Sequence, residues 1–190
     1  MIIAIDFDET LFPTLEKVIS IYNHRHNTEL SLSQITTYNL YECLDTVVAD
    51  ELLDIFLDKE VYDDLRPYDG AIKAVEKLIK QGNIIYIATA TNVKNLEWKE
   101  RLLQAYFPSI PKNNIIRIHK KSLLKVDVII DDNMKHLTES FADRICFDQL
   151  WNRSTSKDYA FDIRRAYSWH DITNIINDIE RKMKQWEKNI

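Results

Sequence analysis

Residues 2–5, Ile-Ile-Ala-Ile, form an apolar run through which no polar residue alternates, and Asp6 ends it. A strand that is apolar on both faces must be covered on both, as it is in a parallel sheet with helices above and below. Further short apolar runs lie at residues 84–88, 115–118, 126–130 and 144–147, and helical patterns separate them. Strand and helix therefore alternate, which predicts an α/β fold with a parallel sheet. At 190 residues and 45% hydrophobic content, the chain is large enough for one domain with a sizeable core.

One segment breaks this alternation. After the first strand, Leu15, Val18, Ile19 and Tyr22 recur at helical spacing, followed by a polar stretch and a second apolar-periodic run around Leu52, Leu53 and Phe56. Residues 14–65 are accordingly expected to form a small helical insert, with residues 1–13 and 66–190 forming the core. Arg66-Pro67-Tyr68-Asp69-Gly70 reads as a turn into a helix whose inner face would be Ile72, Val75, Leu78 and Ile79, ended at Gly82. Helix is also expected over residues 93–106. Ser168 and Asp171 read as a capping box for a terminal helix with Ile172, Ile175, Ile176, Ile179 and Met183 along one face.

Composition excludes several functions. A net charge of −5 argues against binding a nucleic-acid polymer, which calls for a basic surface. No apolar stretch is long enough to span a bilayer, and Met1 is followed by apolar residues without a basic leader region, so no membrane partner and a cytoplasmic location are expected. Cys43 and Cys146 are far apart and in no metal-ligand or redox pattern, so they read as isolated, largely buried thiols. With Gly70 and Gly82 as its only glycines, the chain cannot build a glycine-rich phosphate loop. Any phosphate chemistry must rest on side chains, a metal and ordinary loop amides.

In open α/β sheets ligands sit beyond the carboxyl ends of the strands. The residues at those ends are Asp6 and Asp8, then Thr89 and Thr91, then His119 to Lys121, then Asp131 and Asp132. Several carboxylates converging on one spot repel each other unless a cation holds them, and hard oxygen donors select Mg²⁺. One carboxylate beside such an ion can attack phosphorus and form an aspartyl-phosphate. The other, two residues on and facing the same side, can protonate the leaving oxygen and then activate water. Lys121 supplies positive charge for the phosphoryl oxygens, and the Thr89 hydroxyl and adjacent amides supply hydrogen bonds.

As an ordered set, DFDET (6–10), IIYIAT (84–89), Lys121 and VIIDD (128–132) resemble the four motifs of the haloacid dehalogenase-like (HAD) phosphohydrolases. The resemblance implies a Rossmann-like HAD core with Asp6 as nucleophile and Asp8 as acid/base that also offers its backbone carbonyl to Mg²⁺. It puts Thr89 and Lys121 on the phosphate and completes the metal site with the acidic pair Asp131 and Asp132, of which Asp132 is the favoured ligand and Asp131 the orienting group. Within that superfamily the chain most resembles the 5'(3')-deoxyribonucleotidases of the cytosolic type C group. The insert lies where their helical cap does, LRPYDGAIKAVEKL (65–78) is similar to their proline-glycine turn into the core, and AYSWHDI (166–172) to their Ser-Trp ending. Two departures stand out: Glu9 where the best-known members have Gly, and Thr89-Ala90 where they have a threonine-serine pair.

The resemblance implies an enzyme that hydrolyses (deoxy)nucleoside monophosphates. Thr10 and the loop at Ala90 join the substrate-binding set, and Tyr38 is the aromatic candidate for stacking a base. Asn152 and Arg153 resemble an Asn-Arg pair of bacterial relatives, and Lys94 reads equally as a phosphate contact or a solvated charge. Another small phosphomonoester such as a sugar phosphate is the first alternative substrate. A protein phosphatase sharing the DxDET motif and a catalytically silent binding module are the others, and a homodimer stays open.

Overall fold

The fold is described from a computed structural model, over residues 1–153 and 161–187. Its strands are β1 (Ile2–Ile5), β2 (Ile84–Thr89), β3 (Ile115–Arg117), β4 (Val128–Asp131), β5 (Asp143–Phe147) and β6 (Ile163–Ala166). All pair in parallel, in the order β3-β2-β1-β4-β5-β6. This is the doubly wound order, in which the chain first builds outward from β1 on one side and then restarts on the other. The carboxyl ends of β1 and β4 therefore flank the switch point, where such sheets bind ligands. The Asp6 N–H donates to Ile130 O at 2.9 Å, which ties the two strand ends together.

The central strands are apolar on both faces because both are covered. Ile3, Ala4 and Ile5 are fully buried, as are Val128, Ile129 and Ile130 to within 1% exposure. The covering helices are α4 (Ala71–Lys80), α5 (Val93–Tyr106), α6 (Met134–Thr138) and α7 (Trp169–Glu187). Gly70 precedes α4 with φ +82°, a left-handed conformation that only glycine adopts without strain. Trp169, 1% exposed at the start of α7, packs at this turn and donates its indole N–H to Thr10 O at 3.2 Å. At the start of α7, Ser168 Oγ accepts the Asp171 N–H at 3.1 Å and donates back to its carboxylate at 2.9 Å.

Between β1 and α4 lie α1 (Thr14–His26), α2 (Thr46–Ile55) and α3 (Glu60–Asp63), joined by short 3₁₀ turns. Leu15, Val18 and Ile19 of α1 pack with Leu52 and Ile55 of α2, and these residues belong to the same apolar cluster as the core's Ile5 and Phe7. Asn95 of α5 reaches across to this segment, donating to Phe56 O at 2.8 Å and to the Tyr62 hydroxyl at 3.1 Å.

Several sequence expectations are corrected here. In α4 the buried face is Ala71, Ala74, Val75 and Leu78, and Ile72 points outward at 39% exposure. Ala71, Ala74, Val75 and Leu78 share one face at helical spacing, and Ile72, one residue on from Ala71, falls roughly 100° around the helix from it. Met183 and Leu53 are likewise exposed. Cys43 is only half-buried, while Cys146 is buried. The sixth strand, β6, escaped notice because Arg164 and Arg165 occupy its middle, and both pair with β5-side acids, Asp143 at 3.2 Å and Asp148 at 3.0 Å.

Candidate active site

Asp6 leaves β1 and Asp131 ends β4, so adjacent strands carry their carboxylates to one point. Asp132 follows directly. Each of the three offers an oxygen, and these oxygens all lie within 4.8 Å of one another. Three buried carboxylates so close are a donor set for a hard divalent cation. Their electrostatics agree with that chemistry. Burial pushes the Asp6 carboxyl up to about 6 against the pull of Lys121, with the charges of Asp131 and Asp8 adding to the rise. Burial and the neighbouring charges of Asp131 and Asp6 hold the Asp132 carboxyl well above the usual range.

Lys121 comes from the connection that carries the chain across the sheet from β3 to β4. Its Nζ is 2.7 Å from Asp6 Oδ1 and 2.6 Å from Asp131 Oδ2. Burial works against its charge, but the Asp131 and Asp6 carboxylates outweigh it and raise its pKa further. Asp131 is the best satisfied of the acids. It takes Lys121 and His136 Nδ1 (3.1 Å) on Oδ2 and the Asn133 N–H (2.9 Å) on Oδ1. Although burial disfavours its charge, Lys121 and His136 keep its carboxyl below the ordinary range. Asp132 Oδ2 accepts the Trp151 indole N–H at 2.9 Å, and Asn152 donates to the Asp132 backbone carbonyl at 2.9 Å.

Asp8 faces the same cavity from the turn after β1. Its Oδ1 accepts the Thr14 hydroxyl at 2.8 Å, and its Oδ2 pairs with Lys99. Lys99 Nζ also donates to Thr89 Oγ1 at 3.0 Å, so β1, β2, α1 and α5 meet at this carboxylate. Between the two turns sits Glu9, with φ +54°. Its carboxylate accepts the Leu15 N–H at the start of α1 and the Tyr68 hydroxyl at 3.2 Å, while Gln149 donates to its carbonyl at 2.8 Å. Burial pushes the Glu9 carboxyl up to about 8, and the Leu15 N–H opposes that rise.

Asp6, Asp8, Glu9 and Asp132 form the polar floor of a cavity of about 210 Å³. Leu15, Ile35, Leu40, Leu53, Phe56 and Tyr38 line its apolar side, all from the segment between β1 and α4. A polar floor with a few convergent groups beneath apolar walls is the usual make-up of a small-molecule site.

The structure brings together Asp6, Asp8, Thr89, Lys121, Asp131 and Asp132 from the sequence-derived set. Ala90 and Tyr38 line the cavity, and Asn152 backs the floor from behind Asp132. Thr10 is fully buried, and its hydroxyl has no hydrogen-bond partner among the described residues. Thr10 is therefore not a substrate contact, since it is sealed in the core and does not line the cavity. Two further candidates stand elsewhere. Lys94 is exposed and lies over the Trp98 ring at 5.3 Å. The exposed Arg153 pairs with Asp148 at 2.8 Å, away from the cavity lining. Sequence reasoning missed Lys99, His136, Trp151 and the buried carboxylate of Glu9. For Lys99 a signal existed, since it falls on the buried stripe Asn95, Trp98, Lys99, Leu103 of α5.

Similarity to known proteins agrees with this arrangement. Over 172 residues the chain is 26% identical to a 5'(3')-deoxyribonucleotidase of Bacillus subtilis (strain 168), covering 90% of this chain and 95% of the relative. It is 29% identical over 169 residues to a 5'(3')-deoxyribonucleotidase of Clostridium acetobutylicum, covering 89% and 91%. Among solved structures, a haloacid dehalogenase-like protein of Agrobacterium tumefaciens superposes with a TM-score of 0.66 at 13% identity over 94% of this chain and 98% of that one. A HAD family hydrolase of Deinococcus radiodurans R1, with bound phosphate and sodium, gives 0.64 at 14% identity over 90% and 92%. These two likenesses speak to the fold. A family model described as "5' nucleotidase, deoxy (Pyrimidine), cytosolic type C protein" matches residues 1–184, and the chain belongs to that family of HAD-type phosphatases.

Proposed function

We propose that this protein is a Mg²⁺-dependent phosphomonoesterase that hydrolyses (deoxy)nucleoside monophosphates to nucleoside and phosphate through a phosphoryl group carried on Asp6. The observation that carries the reading is the position of the Asp6 carboxylate: at the switch point of the sheet, on the floor of the cavity, with Lys121 on one oxygen and Asp8 two residues on. Residues 14–65 serve as a cap whose apolar wall receives the leaving nucleoside.

The carboxylates of Asp6 and Asp132 and the Asp8 backbone carbonyl would hold the ion. When bound it offsets the repulsion between these acids and a substrate phosphate. Lys121 fixes one Asp6 oxygen and leaves the other to attack phosphorus. As the new P–O bond forms, the ester P–O bond breaks and Asp8 delivers its proton to the departing nucleoside oxygen. Asp8, now a carboxylate, takes a proton from water as that water attacks the phosphorus. The bond to Asp6 breaks and phosphate leaves. Thr89 donates to the phosphoryl oxygens throughout, and Lys121 offsets charge developing on them. Asp131 anchors Lys121 and takes no part in bond making.

The Bacillus and Clostridium relatives are named for deoxyribonucleotides, which supports that substrate class over sugar phosphates. Phosphate release from a panel of nucleoside monophosphates, sugar phosphates and phosphopeptides tests the reading, run with Mg²⁺, with a chelator and with Asp6→Asn. Selective turnover of deoxynucleotides, abolished by chelation and by the substitution, is expected. Turnover of sugar phosphates alone would overturn the substrate, and turnover by Asp6→Asn would overturn the mechanism.

A further inference from the structure

Lys99 is a second buried lysine at the strand ends, and the mechanism above leaves it unused. It is 1% exposed. Its Nζ pairs with Asp8 Oδ2, donates to Thr89 Oγ1 at 3.0 Å, and lies 4.8 Å from the centre of the Phe7 ring. Lys99 does not line the cavity, whereas Asp8 does. It therefore meets a ligand only through the groups it holds. Thr14 donates to Oδ1 and Lys99 to Oδ2, so the Asp8 carboxyl is fixed from two sides by α1 and α5, and in its acid form the proton it gives up sits on Oδ1. A charge this deeply buried is costly unless paired, and a methionine of similar length would fill the same space on α5 without that cost. The ammonium is kept for what it holds.

Resting on the reading of Asp8 as the acid, we propose that Lys99 is a positioning residue that aims Asp8 at the leaving oxygen and so governs how well the enzyme handles poor leaving groups. A nucleoside oxygen must be protonated as it departs. A p-nitrophenolate departs without a proton. Loss of Lys99 therefore damages the first reaction and spares the second.

The test compares kcat/KM for a deoxynucleoside monophosphate and for p-nitrophenyl phosphate in native protein, Lys99→Met, Lys99→Gln and Asp8→Asn. This parameter reports steps only through departure of the leaving group, so the later attack of water does not enter. The ratio of the two values is independent of the fraction of protein that is folded, which keeps the test valid if a variant is unstable. In Lys99→Met and Lys99→Gln the nucleotide value is expected to fall by about 100-fold, within the span general acid catalysis supplies, and the aryl value by less than about fivefold. Asp8→Asn should show the same selectivity, and Lys99→Met added to it should deepen the loss little. Equal losses on both substrates in the Lys99 variants, with selectivity retained in Asp8→Asn, would overturn the proposal and point to phosphate binding through Thr89. A uniform loss in Asp8→Asn would overturn the acid reading itself, and the proposal with it.

Discussion

The Lys121 ammonium lies 2.7 Å from Asp6 Oδ1, and the same nitrogen lies 2.6 Å from Asp131 Oδ2. One buried cation thus balances two strand-end carboxylates while orienting the one that faces the cavity. Lys121→Met should lower kcat/KM by about 10³-fold, comparable to losing a strong electrostatic donor at a transition state. It should also lower the Tm, because breaking a buried pair leaves uncompensated charge worth about 3–5 kcal/mol. Added Mg²⁺ should restore part of that Tm loss, since the carboxylates are then held by another cation. Thermal melts with and without Mg²⁺, beside initial rates, check both parts.

The carboxyl of Asp132 is raised by burial and by the charges of Asp131 and Asp6, so a cation must compete with a proton for it above the ordinary carboxylate range. Mg²⁺ affinity should accordingly increase as pH rises, and binding should release protons. Titration calorimetry in buffers of different ionisation enthalpy measures that release. Asp132→Asn should weaken binding by about 100-fold, the upper end of what even outer-shell groups contribute, and abolish most of the proton release. Binding that is unchanged by the substitution would remove Asp132 from the ligand set.

How far the sequence foretold this site depended on which physical signal each residue carried. Asp6, Asp8, Thr89, Asp131 and Asp132 stand directly after apolar runs that end a parallel strand, a position that announces itself. Lys121 was legible only as part of an ordered set of motifs. Lys99 sits among Glu97 and Glu100 and resembles a solvated helix charge until the stripe of Asn95, Trp98 and Leu103 is drawn through it. Trp151 meets Asp132 only through tertiary approach across 19 residues, which no local pattern encodes, whereas His136 lies close in sequence to Asp131 but carries no signal beyond its place in the short α6. β6 was hidden for a different reason. As an edge strand it carries arginines paired to neighbouring acids, and charge on an edge blunts unwanted pairing while erasing the apolar signature of a strand.

Glu9 links stability to pH. Its carboxyl moves from 4.5 to about 8 on folding, chiefly by burial, so the folded chain binds that proton more tightly than the unfolded one. The resulting stabilisation is complete below about pH 4.5 and is lost as pH rises through about 8. Glu9→Gln is neutral at every pH and keeps an acceptor for the Leu15 N–H. The Tm of the variant relative to the native protein should therefore climb steadily between pH 5 and 8.5. A difference that stays flat over this range would mean that the Leu15 N–H and the start of α1 hold Glu9 ionised throughout.

The wall of the cavity gives the last prediction. Leu53 is 42% exposed yet lines the cavity beside Ile35, Leu40 and Phe56. Because it is not packed in the core, Leu53→Asp should leave the Tm within about 1 kcal/mol equivalent of native, as exposed positions usually do. On the proposed function, a carboxylate there would face the apolar body of a bound nucleoside and would add negative charge above a floor that receives the phosphate. KM for a deoxynucleoside monophosphate should rise by about tenfold, equivalent to about 1.4 kcal/mol of lost binding. The substitution also separates two effects. Glycerol phosphate carries the same charge but no base, so its KM should rise only by the electrostatic share, and raising salt should shrink that share. If both substrates weaken equally at low salt and recover equally at high salt, the wall contributes no recognition of the base, and residues 14–65 act on charge alone.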